Sequence, residues 1–202
     1  MRVGQAKPLV MSAGWAVGAY LAAVGAQVGA GGQVDRSPRA LVVVLAGAIY
    51  TNLFEHLWHR YGMHVRRDPR HARHHRIFYG DRFQTNDPKA LDEIVTAWYI
   101  FPLLLAVHYL VFWGVLGAGF APAFFLGVVL HFVTYEVTHW YTHVKDNEFD
   151  RAVARIPGLR RLRDGQIRHH RLHHAEPLVN FNFNPPYVGD RLARVFRRGV
   201  TP

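Results

Sequence analysis

Residues 94–135 run for 42 positions without one formally charged side chain. A water-soluble fold of 202 residues would have to hide all of them. Two crossings of a hydrocarbon layer ~30 Å thick, at about 20 residues each, absorb the run directly. Gly117-Ala118-Gly119-Phe120-Ala121-Pro122 lies just past its middle and supplies the residues that interrupt helices. The run therefore reads as two spanning helices, at about 94–115 and 121–141, joined by a tight hairpin. Two more apolar blocks precede it: residues 9–30 carry no formal charge, and 40–58 carry only Glu55. Arg2 and Lys7 stand before the first block as they would before a signal peptide. That block exceeds the ~7–15 residues of a signal peptide's apolar stretch, so it reads as an uncleaved span. The expected fold is an all-α integral membrane protein: one domain over residues 1–202, with four transmembrane helices and a histidine-rich helical cap.

The formal net charge of +10 is distributed unevenly. Two Lys/Arg precede the first block, eight lie in residues 60–93 and twelve follow His143; Arg36 and Arg39 alone fall elsewhere. Four crossings place the three basic regions on one side, and by the positive-inside rule that side is cytosolic. The expectation is a multi-pass protein with both termini and its polar regions in the cytosol, in the plasma or inner membrane of a bacterium or the endoplasmic reticulum of a eukaryote. A nucleic-acid-binding protein has no reason to partition its charge in this way, so no nucleic-acid partner is expected. Absence of cysteine excludes disulfides, thiolate zinc sites and cysteine-ligated iron–sulfur clusters.

Ten of the fourteen histidines form four groups on the side read as cytosolic. His59 and His64 are an H-x4-H pair, and His71, His74 and His75 are H-x2-HH. His139 and His143 are H-x3-H, and His170, His173 and His174 repeat H-x2-HH. Positions three and four apart share a helical face, so the three rings of each H-x2-HH are expected to converge. His59 and His64, five apart, diverge on an ideal α-helix, so the helix is expected to end or distort near Gly62. Ten imidazoles are too many for one ion and suit two ions with about five each. Neutral imidazole favours iron, zinc, copper or nickel. Glu55, four residues before His59, and Glu136, three before His139, are placed to accept a ring proton and orient a ligand. The competing reading is a carboxylate at a helix end. His108 reads as a hydrogen-bonded interior residue, and His56 and His169 as neighbours supporting the ligands.

The ordered set Glu55-His56-Leu-Trp-His59-Arg-Tyr-Gly-Met-His64, His71-Ala-Arg-His74-His75, Tyr135-Glu136-Val-Thr-His139-Trp-Tyr-Thr-His143 and Arg168-His169-His170-Arg-Leu-His173-His174 resembles the fatty-acid hydroxylase/sterol desaturase superfamily of membrane-bound di-iron proteins. Asn180-Phe181 and Asp190-Arg191-Leu192 add to the likeness, whereas Asn182-Phe183-Asn184-Pro185-Pro186 departs from the usual family ending. The resemblance implies that the ten boxed histidines hold two iron ions, replaceable by zinc on isolation, with Asn180 as a supporting residue beside the centre. It further implies dioxygen as co-substrate, attack on a C–H bond of a lipid, and electrons from an external ferredoxin or a cytochrome b5-like protein with its reductase. The box spacings are similar to those of fatty-acid 2-hydroxylases. A lipid desaturase, a carotenoid hydroxylase, a zinc-dependent membrane hydrolase and a non-catalytic metal-binding membrane protein are the alternatives.

Overall fold

The computed structural model describes residues 7–95, 99–117 and 119–198. Among them the regular elements are all helices: α1 (Lys7–Gly29), α2 (Arg39–Leu57), α3 (Pro69–Ile77), α4 (Pro88–Leu91), α5 (Ile100–Leu116), α6 (Ala121–His143), α7 (Glu148–Val153), α8 (Pro157–Ala175) and α9 (Val188–Leu192). A π-helical segment, Trp58–Val65, follows α2 without a break. Two units divide the chain: residues 7–51 with 99–136, and Asn52–Val95 with residues 137–198.

The first unit is apolar. Its core holds Ala16 of α1, Phe101, Leu105 and Tyr109 of α5, and Phe124, Phe125, Val128 and Val129 of α6. Helices α2 and α6 approach backbone to backbone at two glycines. A Cβ on Gly47 would lie 2.0 Å from the Phe124 carbonyl oxygen, and one on Gly127 would lie 2.0 Å from that of Val44. Only a residue without a side chain permits this approach, and close packing of this type holds helices together where no hydrophobic force separates side chain from solvent. Two polar side chains of this unit are paired inside it: Tyr109 donates to buried Gln27 at 2.7 Å, and His108 Nδ1–H donates to the Leu104 carbonyl at 2.7 Å, as expected of an interior histidine.

Three helices are long and apolar enough to cross a membrane: Lys7–Gly29, Arg39–Val65 and Ala121–His143. They fall on the expected spans 9–30, 40–58 and 121–141. The expected span 94–115 is shifted and shortened. Helix α5 begins at Ile100 and has 17 residues, about 25 Å at the α-helical rise. Pro102 sets its start, because a residue lacking an N–H is tolerated in the first turn and disrupts an interior one. Ile94 and Val95 are buried and belong to the second unit. Residues 96–98 of the expected span, Ala118 of the hairpin and Arg2 of the N-terminus lie outside the described residues.

The second unit carries the polar helices. Asp68 caps α3 by accepting from Arg70 N and His71 N, with Pro69 in the first turn. Helix α8 likewise starts on Pro157. Beyond α8, residues 179–184 are all buried although none is helical, so their backbone groups need partners. Those partners tie the segment to the histidines.

Candidate metal centre

All ten boxed histidines lie in the second unit, where their Nε2 atoms gather into two groups. The first group comprises His59, His64, His71, His75 and His173, and the second His74, His139, His143 and His170. His174 completes the second group, with its Nε2 3.0 Å from that of His170 and 3.1 Å from that of His74. With His174 counted, each group has five rings. The expectation that each H-x2-HH brings its three rings together is corrected. Helix α3 sends the i,i+4 pair His71 and His75 to the first group and His74 to the second. Helix α8 does the reverse, sending His170 and His174 to the second and His173 to the first. Ring i+3 departs from i and i+4 by enough to reach a different partner when two such helices face each other.

His59 and His64 converge because the helix changes type. A π-helix bonds i to i+5 and places residues five apart on one face. Bonds from Arg66 N to Tyr61 O and from Asp68 N to Met63 O continue that pattern past the segment. The two Nε2 atoms are 3.3 Å apart. A Cβ on Gly62 would meet the Trp58 ring at 3.2 Å, which accounts for a glycine at the expected point of distortion.

Neighbouring Nε2 atoms stand 3.0–3.3 Å apart in the first group and 3.0–3.1 Å in the second. Backbone carbonyls fix the tautomer of three rings: His59 Nδ1–H donates to Phe181 O at 2.5 Å, His143 Nδ1–H to Phe83 O at 2.8 Å and His173 Nδ1–H to Val179 O at 2.7 Å. In these neutral rings Nε2 is a bare lone pair aimed at other nitrogens. Burial, reinforced by neighbouring rings, holds His71, His74, His75, His170, His173 and His174 well below the usual imidazole range. Protonation is therefore a poor way to relieve the repulsion, whereas a bound cation meets every lone pair at once. Donors at the ~2.1 Å typical of imidazole–metal bonds are about 3.0 Å apart at right angles and about 3.4 Å apart in a tetrahedron. The second group's spacings lie near the former and the first group's run between the two, while five donors per group exceed the four of a tetrahedral site. Nδ1 of His74, His75 and His174 is buried without a hydrogen-bond partner; packing alone aims these rings.

Of the expected supporting residues, Glu55 and Asn180 work on the backbone, and the expectation that Glu55 orients the His59 ring is corrected, because the Phe181 carbonyl takes that ring's proton. Glu55 accepts from the Phe183 N–H, fixing the segment beside the rings. Asn180, in the left-handed region at φ 56°, donates to the carbonyls of His169 and Arg197 and accepts from Arg197 N. Its work is to hold the end of α8 and the C-terminal segment. Glu136 is buried in α6, at 1% exposure.

Two structural roles were not legible in the sequence. Asp190 is fully buried and is the anchor behind the site. His56 Nδ1–H donates to it at 2.7 Å, His169 Nε2 lies 3.3 Å away, and the N–H groups of Phe181 and Asn182 each donate at 2.9 Å. Burial opposes its ionisation, but these bonds prevail and hold its carboxyl below the ordinary range. The second role is that of the alternation Asn180-Phe181-Asn182-Phe183-Asn184. In extended chain, odd and even residues face opposite ways. Phe181 packs against His59, His64 and His173 of the first group, and Phe183 against His139 and His170 of the second. The asparagines face a polar ladder: Asn182 donates to Asn52 O at 2.5 Å, and Asn184 accepts from Gln166 at 2.7 Å. The alternation itself was the available signal. No family model matches this chain, and neither a curated protein nor a solved structure matches it.

Proposed function

We propose that this protein is a membrane-embedded, dioxygen-dependent di-iron hydroxylase acting on a C–H bond of a fatty acyl chain or related lipid. The observation that carries the reading is the gathering of ten imidazole rings from four stretches of chain into two groups of five. Five imidazoles per group exceed the four ligands of a tetrahedral zinc site, which favours iron and therefore an oxidase over a zinc hydrolase. Bound iron would supply activation of dioxygen and removal of hydrogen from an unactivated carbon. The chain's own part is preorganisation. Carbonyls of Phe181, Phe83 and Val179 hold three rings in the ligating tautomer, as a hydrogen bond on the distal nitrogen does in metal sites generally. Phe181 packs against one side of the first group, and Phe183 packs against the buried second group. In this reading the short helix α5 is a fourth crossing, the basic regions and both termini are cytosolic, and an external ferredoxin or a cytochrome b5-like protein with its reductase delivers two electrons per turnover.

Lipid mass spectrometry of cells with and without the gene, grown in air and without oxygen, tests the proposal. The expected result is a lipid heavier by one oxygen that requires the gene, air and the histidines. A loss of two hydrogens would assign desaturation instead, and a lipid change that persists without oxygen would contradict the reading.

A further inference from the structure

We propose that the cleft beside the first histidine group binds the anionic oxygens of a phosphate monoester or carboxylate, with Arg67 and Arg76 as its cationic partners. The cleft has a volume of about 480 Å³, within the ~300–1,000 Å³ of small-molecule sites. His64, His71 and His75, all half-buried, form one part of its lining, and Met63, Ala72 and Pro177 form an apolar part. No aspartate or glutamate lines it. Three arginines do, and Arg73 is already engaged, its Nε 3.5 Å from Glu93. Arg67 and Arg76 are exposed and have no ion-pair partner among the described residues. Two such guanidiniums offer the planar, multi-donor recognition that suits phosphate and carboxylate. The apolar lining adds room for a few carbons.

Arg67 carries a second sign. It sits at φ 56°, just past the π-helical segment, where the left-handed region favours glycine or asparagine. Positive charge at a helix end would be served equally by Arg66, one residue earlier and in ordinary helical geometry. The strained position instead puts Arg67 in the lining of the cleft. In the second histidine group, by contrast, His74, His139, His143 and His170 are all buried. The inference rests on the metal-centre reading in that it puts the anion beside the ion held by the first group.

The test is calorimetric titration of the purified, metal-loaded protein with inorganic phosphate and with octyl phosphate, after metal content has been measured on the same sample. Binding of both is expected, weakened at least tenfold in Arg67→Gly/Arg76→Gln, with metal content unchanged. Because glycine relieves the strained backbone, the thermal midpoint of this variant should hold or rise, which separates lost binding from misfolding. Octyl phosphate binding more tightly than phosphate assigns the cleft to an amphiphile's headgroup; equal affinities assign it to a free anion. Wild-type protein that binds neither probe, or a double variant that binds both unchanged, would overturn the proposal. Protein without metal that still binds phosphate through the arginines would preserve the cleft while removing the metal centre.

Discussion

The two histidine groups are assembled from the same pieces in reversed proportion, yet they differ in access. Helices α3 and α8 each divide three rings two-to-one, and a pair from the π-helical segment or from α6 completes each five. The second group is buried throughout, with Phe78, Phe83 and Phe183 against its rings. Three rings of the first group are half-buried and line the arginine-edged cleft. Equivalent donor sets in unequal surroundings imply unequal duties. The closed group is suited to hold its ion permanently, whereas the open one is suited to exchange ligands with its surroundings.

Loss of single rings tests this division most strongly. His74→Ala and His173→Ala each remove the lone ring that one H-x2-HH box lends to the other group. Each should lower product formation by about 100-fold or more, since even partners behind metal ligands cost 10–100-fold. Each should also cut bound metal to about one ion per chain. Unchanged metal content in both would remove these rings from the centre. Acidification of metal-free protein comes next. Six imidazoles with depressed folded-state values take up protons only on unfolding. Stability should therefore be full above pH ~6.5 and fall below it, by on the order of 5 kcal/mol over one pH unit. Chemical denaturation at several pH values measures this, and a flat profile between pH 7.5 and 5.5 would contradict the buried, neutral rings.

Asp190 stands behind both groups, so its loss should not discriminate between them. Asp190→Ala leaves two buried histidines and two backbone N–H groups without their acceptor. About 3–5 kcal/mol of stability should be lost, with both ions released together on titration with a chelator. The aromatic wall discriminates again, with the smallest effect. Phe181→Leu should loosen the ion of the first group and Phe183→Leu that of the second, each at a cost of about 1 kcal/mol. Chelator-release kinetics of the two variants, read as two phases, should show opposite phases accelerated.

The sequence carried the inventory of this centre, and the fold decided its wiring. The four boxes and their order follow from spacing, an even division of ten rings follows from their number, and the five-residue step from His59 to His64 already signals a broken α-helical register near Gly62. Three spans were legible because uninterrupted apolar runs leave few alternatives. The allocation of rings was not legible, because it depends on how α3 and α8 face each other, and no spacing within one helix encodes that. Asp190 and the carbonyl of Phe181 were hidden for a related reason. Their partners His56 and His59 lie more than a hundred positions away, and a single aspartate or backbone oxygen has no pattern of its own. The start of α5 was missed by treating 94–135 as uniform, when Pro102 marks where a helix can begin.

On the proposed function, each group of five imidazoles holds one ion. Metal analysis of protein purified after growth in iron-replete medium tests it most directly. Two ions per chain are expected, with one removed quickly by an external chelator and the other slowly. Trace metal only, in protein that is folded and inserted, would contradict it.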